Sequence, residues 1–353
     1  MYLITVGLPV YNAMPFLPET INSLINQTYP HFKVLAIDDG STDDSLDYLK
    51  SIDDPRFQVI SQSNRGLTAT LNRMLEEVDT PWLIRHDADD IAYPNRLDII
   101  TKQIKQYPEA GMFYSYASYY QNSKSFGTFR TTKASPEVLR NLTRLGYLLA
   151  ICHPSVTLNV KKTLDLGGYR FNLHVEDIDL WWRMALAHDI RLIPEVTVGF
   201  RLNFKSVSSS NLEAQSVNTL YVQYLLLSHL WNLNPLPYEL IKSKLSLLLN
   251  KRKLKFRANM RLTNMYVGKR DYLGAFKHGF SALLASPQDF IERLTYEIGQ
   301  KDIAVNGEET KLFAAHCNTL WTNQVELSNT LELPRLDNTC ARIGNFGTQS
   351  SAC

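Results

Sequence analysis

Four apolar runs of strand length alternate with helical segments in the N-terminal part of the chain, and that alternation leaves few folds open. The runs are Leu3 to Val10, Val34 to Ile37, Phe57 to Ile60 and Trp82 to His86. Between them lie Pro15 to Gln27, with Phe16, Ile21, Leu24 and Ile25 on one side, then Ser45 to Ser51, then Leu67 to Val78. Strand, helix, strand in this order predicts an α/β fold with a mainly parallel sheet flanked by helices on both faces. Such sheets bind ligands beyond the carboxyl ends of their strands. Four polar clusters fall there: Tyr11-Asn12, Asp38-Asp39-Gly40-Ser41, Asn64-Arg65-Gly66 and Asp87-Ala88-Asp89-Asp90. Each alone is an ordinary turn, and Ser41 to Asp44 doubles as a helix cap. Four at successive strand ends face one crevice.

The last cluster carries the most chemistry. Carboxylates crowded this closely repel one another unless a cation or hydrogen-bond donors share the site. In Asp-x-Asp, side chains two apart in an extended segment point the same way, so Asp87 and Asp89 can converge on one ion. Hard oxygen ligands suit Mg²⁺ or Mn²⁺, with phosphate completing the shell. A solvated turn with a helix cap is the plainer alternative for an isolated Asp-x-Asp. The sequence has no G-x-G-x-x-G after the first strand and no G-x-x-x-x-G-K-[ST], which argues against a dinucleotide dehydrogenase or a P-loop enzyme. Asp38 and Asp39 suit donors on a base or ribose better than a phosphate of their own sign.

Further along, Asn95 to Tyr107 reads as an amphipathic helix, Met112 to Tyr120 as a strand, and Ser135-Pro136-Glu137 as the start of a helix. Ile151 to Leu158 reads as a turn feeding a strand. A second acidic cluster, Glu176-Asp177-Ile178-Asp179, opens a helix whose apolar face is Ile178, Trp181, Trp182, Ala185 and Leu186. Acids at a helix N-terminus favour its dipole, and one of them can equally serve as a general base.

From about Asn211 helical periodicity takes over. Between Ile241 and Lys277 eleven Lys and Arg residues face a single acid, Asp271. That pattern fits basic helices docked on anionic lipid or a diphosphate head group, and it fits a solvated face equally well. The sequence divides into a catalytic domain over residues 1–208, a basic helical region over 209–298 and a polar tail over 299–353. A net charge of +2 and the lack of a recognised module speak against nucleic acid as a partner. Cys152, Cys317, Cys340 and Cys353 form no C-x-x-C and read as free thiols of a reducing compartment. With no signal-peptide pattern and no apolar run of membrane-spanning length, the expected location is the cytoplasm, with peripheral contact to the inner membrane face through the basic helices.

Taken in order, these clusters resemble family 2 of the inverting glycosyltransferases, of GT-A fold and of the bacterial surface-polysaccharide type. The resemblance covers roughly residues 1 to 205 and includes Pro94-Asn95-Arg96-Leu97 and Gly167-Gly168-Tyr169. It implies that Pro9, Tyr11 and Asp39 line the nucleotide base, with Asp38 close by. Asn64 and Arg85 would border the nucleotide sugar, Asp90 would lie near the donor sugar, and Asp87 and Asp89 would hold Mn²⁺ or Mg²⁺ on the diphosphate. Asp177 would be the base, supported by Glu176, with His153 and Trp181 on the acceptor side. The implied partners are a nucleotide-sugar donor, typically a UDP-sugar, and a glycan or lipid-linked acceptor. Family members often carry Arg-x-His after the last strand. Here Asn203 stands in place of that His, offering a carbonyl oxygen and leaving a third protein ligand open. Two rival readings are a non-catalytic nucleotide-sugar-binding module, which needs no base, and a sugar nucleotidyltransferase, whose Gly-rich basic N-terminal loop is missing.

Overall fold

The computed structural model describes residues 2–202, 212–291 and 293. Asn203, the boundary at residue 208, three of the cysteines and the polar tail lie outside the described residues.

The four N-terminal runs are strands β1 (Ile4–Val10), β2 (Lys33–Asp38), β3 (Phe57–Ser61) and β4 (Trp82–Arg85). They pair in parallel in the order β3-β2-β1-β4. Helices α1 (Leu17–Ile25), α2 (Ser45–Lys50) and α3 (Leu67–Glu77) make the crossovers. Alternation along β2 shows why its run is continuously apolar. Leu35 and Ile37 pack with Leu71, Met74 and Leu75 of α3, while Val34 packs in the opposite layer with Leu24, Leu97, Ile100 and Ile104. A strand covered on both faces has no solvent side to be polar.

Beyond β4 the sheet becomes mixed. A two-residue strand β5 (Ile91–Ala92) precedes helix α4 (Arg96–Gln106). Strand β6 (Met112–Gln121) is followed by β7 (Lys124–Thr128), helix α5 (Pro136–Arg144), a 3₁₀ turn over His153–Ser155 and β8 (Thr157–Asn159). Helices α6 (Val160–Asp165) and α7 (Glu176–Ala187) lead to β9 (Ile190–Arg201). The sheet runs on from β4 through β8, β6 and β9 to β5, with β8 antiparallel to both its neighbours and β6 parallel to β9. The N-cap residue of α2 is Asp44, which makes no side-chain cap bond; the carboxylate of Asp43, one residue earlier, accepts from Ser45 N at 3.0 Å and Met14 N at 3.1 Å.

The C-terminal region is helical, as its periodicity predicts. Helix α8 (Leu212–Leu230) lays Val222 and Leu226 against Trp182 and Val175, fastening the region to α7. Helices α9 (Tyr238–Leu247), α10 (Lys251–Gly268) and α11 (Tyr272–Ala285) follow. Among the described residues no helix is long and apolar enough to cross a membrane.

Candidate active site

The acidic turn after β4 is held from beneath by buried cations. Arg85, almost wholly buried, donates to Asp87 Oδ1 and to the His86 carbonyl, each at 2.5 Å. Arg96 reaches back from α4 to His86 Nδ1 (2.8 Å), the Arg85 carbonyl (2.8 Å) and the Pro154 carbonyl (2.6 Å). Burial, then the charges of Arg96 and Arg85, hold the His86 imidazole well below its usual range, so it is neutral and accepts from Arg96. From above, Thr20 of α1 donates to the carbonyls of Ala88 (3.0 Å) and Asp90 (2.8 Å). Arg201, at the end of β9, donates from its Nε to the Asp89 carbonyl (2.5 Å) and from its guanidinium to Glu19 (2.6 Å). It also stacks over Phe16 and Tyr120. A turn braced from four elements keeps Asp87 and Asp89 aimed into the cleft.

Asp89 is pushed up to about 7, first by burial and second by the charge of Asp87. A half-buried carboxylate whose ionisation is opposed by burial and by a neighbouring carboxylate is what a cation would relieve. Among the described residues no three His, Cys, Asp or Glu side chains stand close enough to enclose a metal. The chain therefore offers a pair, with Asp87 already sharing one oxygen with Arg85. Mg²⁺ and Mn²⁺ fit such a site, because they accept one or two carboxylates and fill the shell with water and phosphate oxygens.

Asp90 departs from its expected place beside a donor sugar. It is wholly buried, and its Oδ1 accepts from Arg201 N at 2.7 Å. Burial and the neighbouring charges of Asp89 and Asp87 raise it well above the carboxylate range. It is an internal brace that ties β9 to the acidic turn.

The clusters after β1 and β2 show a similar division. Tyr11 is 53% exposed at the end of β1, open for a flat ring to lie against it. Asp39 accepts from Gln62 Nε2 (2.7 Å), Arg65 N (2.9 Å) and Gly66 N (2.9 Å), so its carboxylate shapes the loop that carries Asn64 while one edge stays on the cleft. Asp38 points inward: it is fully buried and accepts from Ser41 N (3.3 Å) and Ser61 Oγ (3.2 Å). Its expected contact with a base is therefore corrected to a turn-forming role. Gly40 between the loops has φ +74°, and a Cβ there would sit 2.8 Å from Asn64 N.

Across the cleft, α7 starts at Glu176. Asp179, one turn in, is fully buried between Arg170 and Arg183 at 2.7 Å each, and Arg183 also donates to the Leu166 and Gly168 carbonyls. This network fixes the start of α7 and leaves Asp177 half-buried at the surface of the cleft. Burial first, then the charge of Glu176, pushes Asp177 up to about 7. Glu176 is raised in the same direction, mainly by burial. His153 Nε2 lies 3.0 Å from the Tyr169 hydroxyl, and burial holds the imidazole well below its usual range, hence neutral. Trp181, expected on the acceptor side, is fully buried edge-on behind His153 and supports that residue without touching the cleft.

Pro9, Tyr11, Asp39, Asn64, Asp87, Asp89, His153, Glu176 and Asp177 open onto one continuous cleft of about 2530 Å³. Asp38, Arg85, Asp90 and Trp181 form the layer behind it. Sequence reasoning missed the bracing by Glu19, Thr20 and Arg201. Only the Arg201-Leu202-Asn203 pattern hinted at Arg201, and nothing in the spacing of α1 pointed to Glu19.

A family model, Glycosyl transferase family 2, matches residues 5–165. An uncharacterized glycosyltransferase of Haemophilus influenzae is 28% identical over 219 residues, covering 59% of this chain and 68% of that protein. The putative glycosyltransferase EpsE of Bacillus subtilis is 27% identical over 194 residues, covering 51% of this chain and 66% of its own length. The matched stretch thus spans about two thirds of these relatives. The crystal structure of S. aureus TarS 1-349 in complex with UDP-GlcNAc superposes with a TM-score of 0.53 at 15% identity, covering 80% of this chain and 91% of that one. At that identity the likeness speaks for the fold.

Proposed function

We infer that this chain, whose residues 5–165 match the Glycosyl transferase family 2 model, transfers a sugar from a nucleotide diphosphate sugar to an acceptor hydroxyl with inversion at the anomeric carbon. The observation that carries the reading is that the Asp87/Asp89 pair and the Asp177 carboxylate open onto the same cleft. Residues 1–208 would hold the donor, with Tyr11 against the base and the Asp39-braced loop presenting Asn64 to the nucleotide. The donor nucleotide the resemblance suggests is UDP, and TarS, of the same fold, is known with UDP-GlcNAc.

A Mn²⁺ or Mg²⁺ ion bound through Asp87 and Asp89 would offset negative charge on the departing diphosphate. The remaining steps belong to the protein. Asp177, ionised, accepts the proton of the acceptor hydroxyl as that oxygen attacks the anomeric carbon from the face opposite the leaving group. Its raised pKa makes it a stronger base near neutral pH than an exposed aspartate. Glu176 keeps that pKa high through its charge, and neutral His153, held by Tyr169, presents its ring to the acceptor side. A mere binding module has no use for a desolvated acid pair opposite the nucleotide-side loops. The surface-polysaccharide role follows the family resemblance. Exposed Tyr272, Leu273, Phe276 and Phe280 on α11, near the Lys and Arg residues of α10, support peripheral contact with an anionic membrane.

The test is Asp177→Asn. Transfer should fall by roughly 10²–10⁴-fold, with donor affinity within a few fold; a mutant that turns over fully removes Asp177 from the mechanism. Chelation with EDTA should stop transfer, and an undiminished rate in EDTA would rule out the cation.

A further inference from the structure

The segment that leads into α7 is strained in its backbone and held from two sides. Gly167, Phe171 and His174 have positive φ, at +83°, +60° and +55°. A residue with a Cβ is strained there, and glycine is not. At Gly167 a Cβ would meet nothing within 4 Å, so glycine stands there for its backbone alone. At Phe171 the side chain packs, with its ring 5.8 Å from that of Tyr221. Neither reason applies to His174. It is exposed, and its imidazole makes no hydrogen bond, ion pair or ring contact among the described residues. Histidine tolerates this region better than most residues, yet it bears a strain that glycine would escape. Neighbouring helices impose the conformation. Thr68 of α3 donates to the Phe171 carbonyl (3.1 Å), while Asn218 and Gln215 of α8 donate to the carbonyls of Leu173 (2.7 Å) and His174 (3.3 Å). Strain persists only where surrounding contacts over-determine it, and it gathers at ligand sites.

His174 lines the same cleft as Asp177, three residues further on, and Gln215, Ser216 and Thr219 of α8 line it too. Ser216 and Thr219 turn their hydroxyl protons to carbonyls of their own helix, those of Leu212 and Gln215. The Gln215 amide donates to the His174 carbonyl, and its oxygen has no partner among the described residues. Of these four side chains, the His174 ring is therefore the donor left for a ligand, and the Gln215 oxygen is free to accept.

We propose that His174 determines which hydroxyl reacts. Its imidazole hydrogen-bonds the sugar-ring hydroxyl next to the one that Asp177 deprotonates, and the Gln215 oxygen takes a second. An imidazole can donate or accept, as a hydroxyl can, and two such contacts on one ring fix which oxygen faces the base. The proposal rests on the glycosyltransferase reading in naming the reacting hydroxyl, and not in the contact itself.

The experiment uses the full chain saturated with UDP and Mg²⁺ and isotope-labelled at histidine Cε1 for NMR. The probes are the methyl glycosides of glucose, galactose, mannose and N-acetylglucosamine, with glycerol as a polyol that has no ring. The His174 signal is identified by its loss in His174→Gly. At least one glycoside should shift that signal saturably, and glycerol at equal concentration should not. His174→Gly should weaken the same glycoside by about tenfold while UDP affinity stays within about twofold. Its Tm should rise by about 1–3 °C, because the left-handed position no longer carries a Cβ. A His174 signal that no glycoside moves, or that glycerol moves equally, overturns the proposal. So does unchanged glycoside affinity in His174→Gly. A Tm that fails to rise overturns it as well, by giving the imidazole a structural role. If UDP itself does not bind, the glycosyltransferase reading fails, and the same titrations without UDP still decide the His174 contact.

Discussion

Replacing Asp89 by asparagine isolates the electrostatic strain of the acidic turn. The folded protein holds the Asp89 proton up to about pH 7, whereas an unfolded aspartate releases it near 3.8. Between those values the folded state binds more protons than the unfolded one, so stability falls as pH rises, by about 1.4 kcal/mol per pH unit for this one group. By about pH 8 the ionised carboxylate therefore costs the fold up to about 4 kcal/mol, less whatever water screens at this half-buried site. An asparagine side chain cannot ionise and escapes the cost. The assay is urea denaturation in EDTA across about pH 5 to 8, wild type against Asp89→Asn, repeated with Mn²⁺. Without the cation the variant should gain on wild type progressively, by a few kcal/mol at the alkaline end. With Mn²⁺ and UDP the wild type should recover and the variant should not. A variant that is less stable than wild type at about pH 8 in EDTA, or equal stabilisation of both by Mn²⁺, would refute the account of Asp87 and Asp89 as a strained pair awaiting a cation.

Three other perturbations test separate parts of the site. With Asp177 at about 7, kcat/KM should drop about tenfold for each pH unit below that value, because only the ionised form takes the proton; a flat profile down to about pH 5 contradicts the assignment. Arg201→Ala removes the donors to the Asp89 carbonyl and Glu19 and should cost about 2 kcal/mol in thermal unfolding, with a donor KM raised several-fold. Unchanged donor KM would mean the turn does not need β9. Gly40→Ala places a Cβ 2.8 Å from Asn64 N at φ +74° and should destabilise by about 1–2 kcal/mol. A neutral effect on Tm would show that the loop yields freely.

The sequence alone determined the parallel half of the sheet and the polar loops at its edge. Strands buried on both faces must be continuously apolar, and an apolar run that stops on Asp or Asn marks a strand tip without any knowledge of its neighbours. The start of α7 was equally legible, since acids at a helix N-terminus and an apolar face behind them are local properties. Tertiary structure alone decided which acids face the cleft. Asp38 and Asp39 are adjacent and alike in sequence, yet one turns inward to Ser41 and Ser61 while the other meets the loop of Asn64. Asp89 and Asp90 divide in the same way, because the Asp90 carboxylate is claimed by a backbone amide 111 residues away. The insertion of β8 between β4 and β6, and the approach of α10 across the cleft, were also invisible beforehand. Periodicity reports what a residue's own element buries, whereas pairing partners and facing walls are set by contacts between segments far apart in the chain, whose identities no local pattern encodes.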